Sequence, residues 1–284
     1  GLVSLKQRII TALILAPLVI LGIFKLPLIG FIIALTAITL LGFWEWTQFT
    51  ESKSRIAALV PAVVVTGLSF LFISPDAVSL NQLAAPHYTV LALGFVWWII
   101  ASTMAITYPK TTNLWQGSKA LRHVFGFLTL IPFLWSVIIL RASDISVDPY
   151  HGAKLVLYVC FLVWAADSGA YFAGKSMGKR KMAPHVSPNK TIEGLIGGII
   201  AALIVGWLFA GWFDIQFTSP VHMVIITLIT VVISVLGDLV ESMFKRVSGI
   251  KDSSNIIPGH GGILDRIDSL TAAFPVFALL YYVF

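Results

Sequence analysis

Four residues in the run GDLVESMFKR, Gly237–Arg246, stand where they could do chemistry together: Asp238, Glu241, Ser242 and Lys245. Their spacing of i, i+3, i+4 and i+7 puts them on one stripe of a helix that is otherwise apolar. A helix end whose Glu241–Lys245 pair snorkels toward water accounts for Lys245 and Arg246. It accounts poorly for Asp238, about two turns deeper, where a leucine would serve packing better. The next stretch, Lys251–Asp268, reads KDSSNIIPGHGGILDRID. Its Pro-Gly-His-Gly-Gly core, residues 258–262, bends the backbone tightly and exposes amides in the manner of a phosphate-cradling nest. Asp265 and Asp268 follow at i, i+3 where a helix begins, a place the helix dipole also favours for carboxylates. Capping is a serious alternative for Asp268 alone, and a weaker one for two acids that flank Arg266.

A third block, Trp164–Gly198, carries Asp167 and then Lys175, Lys179, Arg180, Lys181 and Lys190. Attraction to anionic headgroups explains such a basic loop in general terms. The segment SPNKTIE, 187–193, is more pointed: Ser187 and Thr191 offer hydroxyls, Lys190 a cation and Glu193 a carboxylate as a helix starts. Capping by Thr191 or Glu193 stays open. Gly169-x4-Gly174-Lys175-Ser176 also fits the phosphate-loop pattern of ATPases and kinases. That pattern has physical meaning only between a strand and a helix of a soluble α/β core. Here its interior is Ala-Tyr-Phe-Ala at the end of an apolar run, so the match is read as chance.

The elements that must position these groups follow from composition. Of 284 residues, 58% are hydrophobic and 11% charged, against roughly 25% charged in an average soluble domain; mean hydropathy is +0.92. So apolar a chain has too little polar surface to cover itself, and its solvent must be lipid. The net charge of +6 therefore reflects membrane topology rather than nucleic-acid binding. The single cysteine, Cys160, lies in an apolar run, excludes an intrachain disulfide and reads as a buried thiol.

A span needs about 20 apolar residues, and nine segments qualify, at roughly 8–24, 28–47, 56–74, 88–107, 121–140, 155–174, 192–213, 221–241 and 265–284. The first has no small-residue cleavage site, so it is expected to remain a span rather than be removed as a signal peptide. With the N-terminus cytoplasmic and nine crossings, 16 of the 19 Lys and Arg residues fall inside, leaving Lys25, Arg141 and Lys154 outside. A wrong count would scramble that segregation from the error onward. The expected fold is thus an all-α polytopic membrane protein, a single unit over 1–284, with its C-terminus outside. Asp76, Asp144, Asp148 and Asp214 fall in outer connectors as solvated loop charges. Glu45, Asp167, Glu193, Asp238, Glu241, Asp265 and Asp268 lie within spans or at their cytoplasmic ends, where a carboxylate is costly without a partner. Six of these seven lie after residue 160, so residues 1–150 read as scaffold and 155–284 as the chemical half.

Residues Ser242–Asp268 read S-x-F-K-R-x4-K-D-x-S-x2-I-P-x-H-G-G-x2-D-R-x-D. This resembles the signature of phosphatidate cytidylyltransferases (CDP-diacylglycerol synthases) at every fixed position. The block at 164–194 resembles the family's upstream region, and the size and nine-span layout match its bacterial members. The resemblance implies transfer of the cytidylyl group of CTP to phosphatidic acid at the bacterial cytoplasmic membrane, giving CDP-diacylglycerol and pyrophosphate. It also implies Mg2+ on Asp238 and Asp265, a neighbouring monovalent cation such as K+, and a homodimer. The residues agree with that chemistry. A phosphomonoester is largely dianionic near neutral pH, its second pKa being about 6, so the nucleophile needs no strong base. The obstacle is the meeting of two polyanions, which metal-holding carboxylates among basic groups relieve.

Lys190, Lys245, Arg246, Lys251 and Arg266 are expected on phosphates, and His260 either protonates a leaving oxygen or donates a hydrogen bond. Asp167, Ser187, Thr191, Glu193, Ser242, Asp252, Gly261, Gly262 and Asp268 complete the expected substrate site. Two rivals differ in kind. A transporter would spread its ionisable groups through the membrane depth, and these cluster at the inner face. A CTP-using enzyme acting on a polyprenyl or dolichol-like lipid is the nearer rival, because a lipid-facing cavity has no code readable in sequence.

Overall fold

The computed structural model describes residues 5–75, 83–252, 254, 256–257 and 261–284; Asp76 and His260 lie outside the described residues. Nine α-helices are present among those described: α1 Leu5–Lys25, α2 Leu28–Trp46, α3 Arg55–Phe72, α4 Ala85–Thr107, α5 Lys119–Ala142, α6 His151–Met177, α7 Ile192–Trp212, α8 Pro220–Ser248 and α9 Ile263–Val283. The long apolar runs have no alternative: in lipid every backbone amide must find its partner within the segment. Serine and threonine open several of them. Ser54, Ser118, Thr191 and Ser219 each accept a hydrogen bond from the backbone N–H three residues on. Gly249, at φ 72°, closes α8 in the left-handed conformation.

Seven of these helices, α2 to α8, are long and apolar enough to cross a membrane. In α1 only Ile9–Lys25 is apolar, and α9 begins with Asp265, Arg266 and Asp268. Large apolar side chains point outward all round the bundle, Ile29 at 73%, Leu71 at 79% and Trp207 at 68% exposure. That surface would be untenable in water and is ordinary in hydrocarbon. The chain is a multi-pass membrane protein. Its centre is α5, whose apolar stretch is 72% buried, against 22% for α3 and 28% for α7 at the periphery. Cys160 is buried in α6, as expected.

The expectation of an all-α chain needs one correction. Between α6 and α7 the chain forms an antiparallel hairpin of β1, Lys181–Ala183, and β2, Ser187–Thr191. Lys181 pairs with Thr191 and Ala183 with Ser187, and Ile192 N–H donates to the Arg180 carbonyl at 2.8 Å. Five residues with a proline at position 188 carry no strand periodicity; such a segment is tolerated because the hairpin has only edges. The phosphate-loop match over 169–176, by contrast, lies wholly within helix α6, with no strand before it among the described residues.

Small residues hold α6 against α7. A Cβ added at Gly198 would lie 2.7 Å from the Ala166 carbonyl oxygen, and one at Gly169 would lie 2.6 Å from the Gly197 carbonyl oxygen. In lipid, where apolar side chains gain little from meeting one another, such close backbone approach is how helices adhere. Gly198→Ala is therefore expected to destabilise the protein by about 1–3 kcal/mol through overpacking, read as a lower thermal midpoint in detergent.

At one end of the bundle, aromatic rings lock the helix ends together. Phe244 of α8 lies 5.1 Å from Trp46, 5.4 Å from Trp115 and 5.8 Å from Phe49. Arg122 is buried there, donating to the Phe49 carbonyl at 3.2 Å and pairing with Glu51 at 3.2 Å. At the opposite end, buried Arg141 donates to the carbonyls of Ile23 at 2.9 Å and Leu26 at 2.8 Å, and so ties the last turn of α1 to α5. The connector charges on that side behave as loop residues. Asp144 and Asp214 take left-handed turn conformations, and Asp148 accepts from Tyr150 N–H at 2.9 Å.

Candidate active site

The β1–β2 hairpin is fixed by Glu193. Its Oε1 accepts from the backbone N–H of Lys179 at 2.6 Å and of Arg180 at 2.7 Å, and its Oε2 accepts from Arg180 Nε at 3.0 Å. Glu193 is thus engaged at the hairpin's root and is not among the residues lining the cavity described below. Thr191, one residue before α7, caps that helix through Gly194 N–H at 3.1 Å. So anchored, β2 reaches over toward α8, and Lys190 forms an ion pair with Asp238. Burial works against the Lys190 charge. Asp238, with Asp167 and Asp268 farther off, outweighs it and holds the ammonium's pKa above its ordinary value.

Helices α8 and α9 close tightly where the carboxylates lie. A Cβ on Gly237 would fall 2.7 Å from Ala272 Cβ, so only glycine lets the turn bearing Asp238 approach α9 this nearly. In the first turn of α9, Asp265 Oδ2 accepts from Gly262 N–H at 2.7 Å, while its Oδ1 pairs with Lys245 Nζ at 3.3 Å. Asp268 Oδ1 accepts from Ser269 N–H at 2.7 Å. Gly261 takes φ 79° and lies against both Asp265 and Asp252. Glu241 is buried behind this wall, beside a void of about 10 Å3 shared with Trp98 and Asp268. No hydrogen-bond donor of the described residues reaches its two oxygens.

These groups converge on a cavity of about 400 Å3. Asp167, Ser187, Lys190, Thr191, Asp238, Asp265, Arg266 and Asp268 line it, drawn from α6, β2, α8 and α9. Val163, Trp164, Leu195, Val235 and Leu270 also line it, an apolar part supplied by α6, α7, α8 and α9 about a turn from the polar groups. Lys245 stands one contact behind, through Asp265. Arg246, Lys251 and Asp252 are exposed and Ser242 is half-buried; neither they nor Gly261 and Gly262 line the cavity. Asn189, Tyr171 and Ser269 line it too, and sequence reasoning passed over them. Asn189 sits inside the SPNKT segment and was legible there. Tyr171 and Ser269 carry no signal apart from the fold.

The cavity thus brings acidic, basic and apolar side chains together. The sequence profile of the Cytidylyltransferase family matches residues 6–284. The phosphatidate cytidylyltransferase of Haemophilus influenzae is 45% identical over 284 residues, covering 98% of this chain and 99% of its own. The phosphatidate cytidylyltransferase of Pseudomonas aeruginosa is 42% identical, over 98% and 97%. That of Bacillus subtilis is 35% identical over the full length of both. The chain belongs to the cytidylyltransferase family.

Proposed function

We propose that this protein is a phosphatidate cytidylyltransferase working at the cytoplasmic face of a bacterial inner membrane, with the cavity between β2, α8 and α9 as its active site. The observation that carries this is a cavity lined by both charged and apolar side chains. A lipid phosphate needs charged groups for its headgroup and apolar surface for its chains, and the lining offers both kinds. Membership of the cytidylyltransferase family sets aside the transporter alternative.

The lipid phosphate, already a dianion, directs an oxygen at the α-phosphorus of CTP. The new P–O bond forms as the bond to the bridging oxygen breaks, and pyrophosphate leaves with that electron pair. Lys190 and Arg266, on the cavity wall, orient the phosphates and offset charge that gathers as pyrophosphate departs. Lys245 keeps Asp265 turned toward the cavity. Exposed Arg246 and Lys251 meet the nucleotide as it arrives.

The donor set suits Mg2+, a hard cation that binds one or two carboxylates together with substrate phosphates rather than an all-protein cage. Asp238 and Asp265 line the same cavity, Glu241 presents unserved oxygens behind them, and no ready-made cluster of three ligands exists among the described residues. Asp238 and Asp265 would hold the ion, which supplies charge neutralisation at the transferred phosphate. A monovalent cation such as K+ beside it and a homodimeric assembly complete the proposal. Incubation of purified protein with labelled CTP, Mg2+ and phosphatidic acid tests it; absence of a labelled liponucleotide, with folded protein, would refute it.

The proposed topology has nine crossings, the N-terminus inside and the C-terminus outside. It is supported by the charge segregation and by contacts that gather one end of the bundle, Arg122 with Phe49 and Lys190 with Asp238. In a Cys160→Ser background, single cysteines in the loops 108–120, 175–191 and 246–264 are expected to react only from the cytoplasmic side. Labelling of any one of them selectively from outside would break this arrangement.

A further inference from the structure

Glu45 is the one acidic residue of the N-terminal half that sequence analysis placed at membrane depth, and no role in the chemistry fell to it. It lies in the last turn of α2, fully buried. Its Oε1 accepts from Leu264 N–H at 2.9 Å, and its Oε2 accepts from Ile263 N–H at 2.9 Å and from Ser254 Oγ at 3.1 Å. The first N–H groups of a helix have no partner within it and need one from outside. Helix α9 opens after Gly262, which has no side chain to cap with. A carboxylate 219 residues away in sequence does that work instead.

We propose that Glu45 is a positioning residue of the active site: by capping α9 and holding Ser254, it sets the height and rotation of the turn that presents Asp265, Arg266 and Asp268. This rests on the proposed function of that site. Division of labour explains why the cap comes from α2. Asp265 already accepts from Gly262 N–H through one oxygen. Were it also the only acceptor for the next two amides, its other oxygen would turn away from Lys245 and the cavity. Glu45 serves those amides and leaves Asp265 in place. Its own base is rigid, because neighbouring Trp46 donates from Nε1 to the Arg122 carbonyl at 2.9 Å and packs edge-to-face with Phe49 and Phe244. Ser254 belongs to the signature loop, so the same carboxylate ties that loop to α9.

The test compares the wild-type protein with Glu45→Gln and Glu45→Asp, all in detergent. A glutamine keeps the size but can accept at one oxygen only, so one amide of α9 loses its partner. Amide exchange at Ile263 and Leu264 is expected to quicken about ten- to hundredfold, since hydrogen bonds to charged groups are the strong ones. Exchange in the middle of α5 should stay as in wild type. The kcat for liponucleotide synthesis is expected to fall in step, and the half-saturating Mg2+ to rise, because Asp265 is drawn back to cap the helix. Glu45→Asp should restore part of both. Wild-type kcat and Mg2+ dependence in Glu45→Gln would overturn the proposal, as would activity lost only in proportion to folded protein with exchange quickened throughout. If Glu45→Gln does not fold, Ser254→Ala removes the loop contact, along with the bond the hydroxyl accepts from Ile256 N–H at 3.3 Å, and is expected to lower kcat without moving the thermal midpoint; unchanged kcat there would overturn it. Should wild-type protein make no liponucleotide, the function fails, while exchange at Ile263 and Leu264 still reports the cap.

Discussion

Asp238→Asn is expected to lower cytidylyl transfer about a thousandfold or more and leave the fold intact, since loss of a metal-held charge removes several kcal/mol of transition-state stabilisation. The substitution preserves shape on α8 and removes only the charge. Folded protein is expected because Lys190, its ion-pair partner, still has Asp167 and Asp268 nearby. Asp265→Asn should cripple turnover as deeply but also cost stability, since Asp265 both caps α9 and pairs with Lys245. Initial rates with labelled CTP across a Mg2+ titration, beside thermal midpoints, separate the two effects. Near-normal turnover in either variant at ordinary Mg2+ would remove that residue from the metal site.

The second large effect concerns the basic residues, which divide by position. Lys190 and Arg266 line the cavity, whereas Lys179 and Lys181 are exposed on and before β1. Lys190→Ala and Arg266→Ala are expected to lower kcat/KM for CTP about ten- to hundredfold, the usual loss for a charge-assisted phosphate contact. Lys179→Ala and Lys181→Ala should cost little, because charges that attract anionic headgroups are worth about 1 kcal/mol each. Those small losses should vanish at high salt, which screens exposed charge and leaves enclosed contacts nearly untouched. The measurement uses micelles whose only anionic lipid is phosphatidic acid. Equal, salt-sensitive losses in all four variants would mean that the cluster serves the membrane surface instead.

Much of this architecture is legible in the sequence because lipid imposes one rule on every span. The apolar runs beginning near Leu28 and Lys119 each became a helix within two residues of the expected bounds, and the run near Pro220 starts one residue from its expected place but continues to Ser248. The α8 stripe and the two acids of α9 were legible as well, since helical spacing puts Asp238 and Lys245 on one face and the motif fixes the rest. The hairpin was not, for its strands are too short to show alternation and Pro188 argues for a loop. Lys190 and Asp238 are each conspicuous, but their pairing across 48 residues exists only once β2 folds over α8. Glu193 offered both a capping and a ligand reading, and its contacts with Lys179 and Arg180 are those of a local clamp. Glu45 stood out as a carboxylate at membrane depth, but its role did not, because two of its partners are backbone amides, which leave no trace in a sequence.

The bond between Arg141 and the end of α1 bears on the order in which the protein is made. Helix α1 leaves the ribosome before α5, so the carbonyls of Ile23 and Leu26 meet their guanidinium only when α5 has followed. The two are 118 residues apart at Ile23. At synthesis rates of about 5–20 residues per second, that gap lasts roughly 6–24 seconds. For that interval the last turn of α1 must keep its carbonyls at the watery edge of the membrane, and Lys25, beside it, is well suited to hold it there. Docking of α1 onto α5 is therefore a late event for a helix made earlier, and a nascent chain halted short of Arg141 carries α1 without this tie.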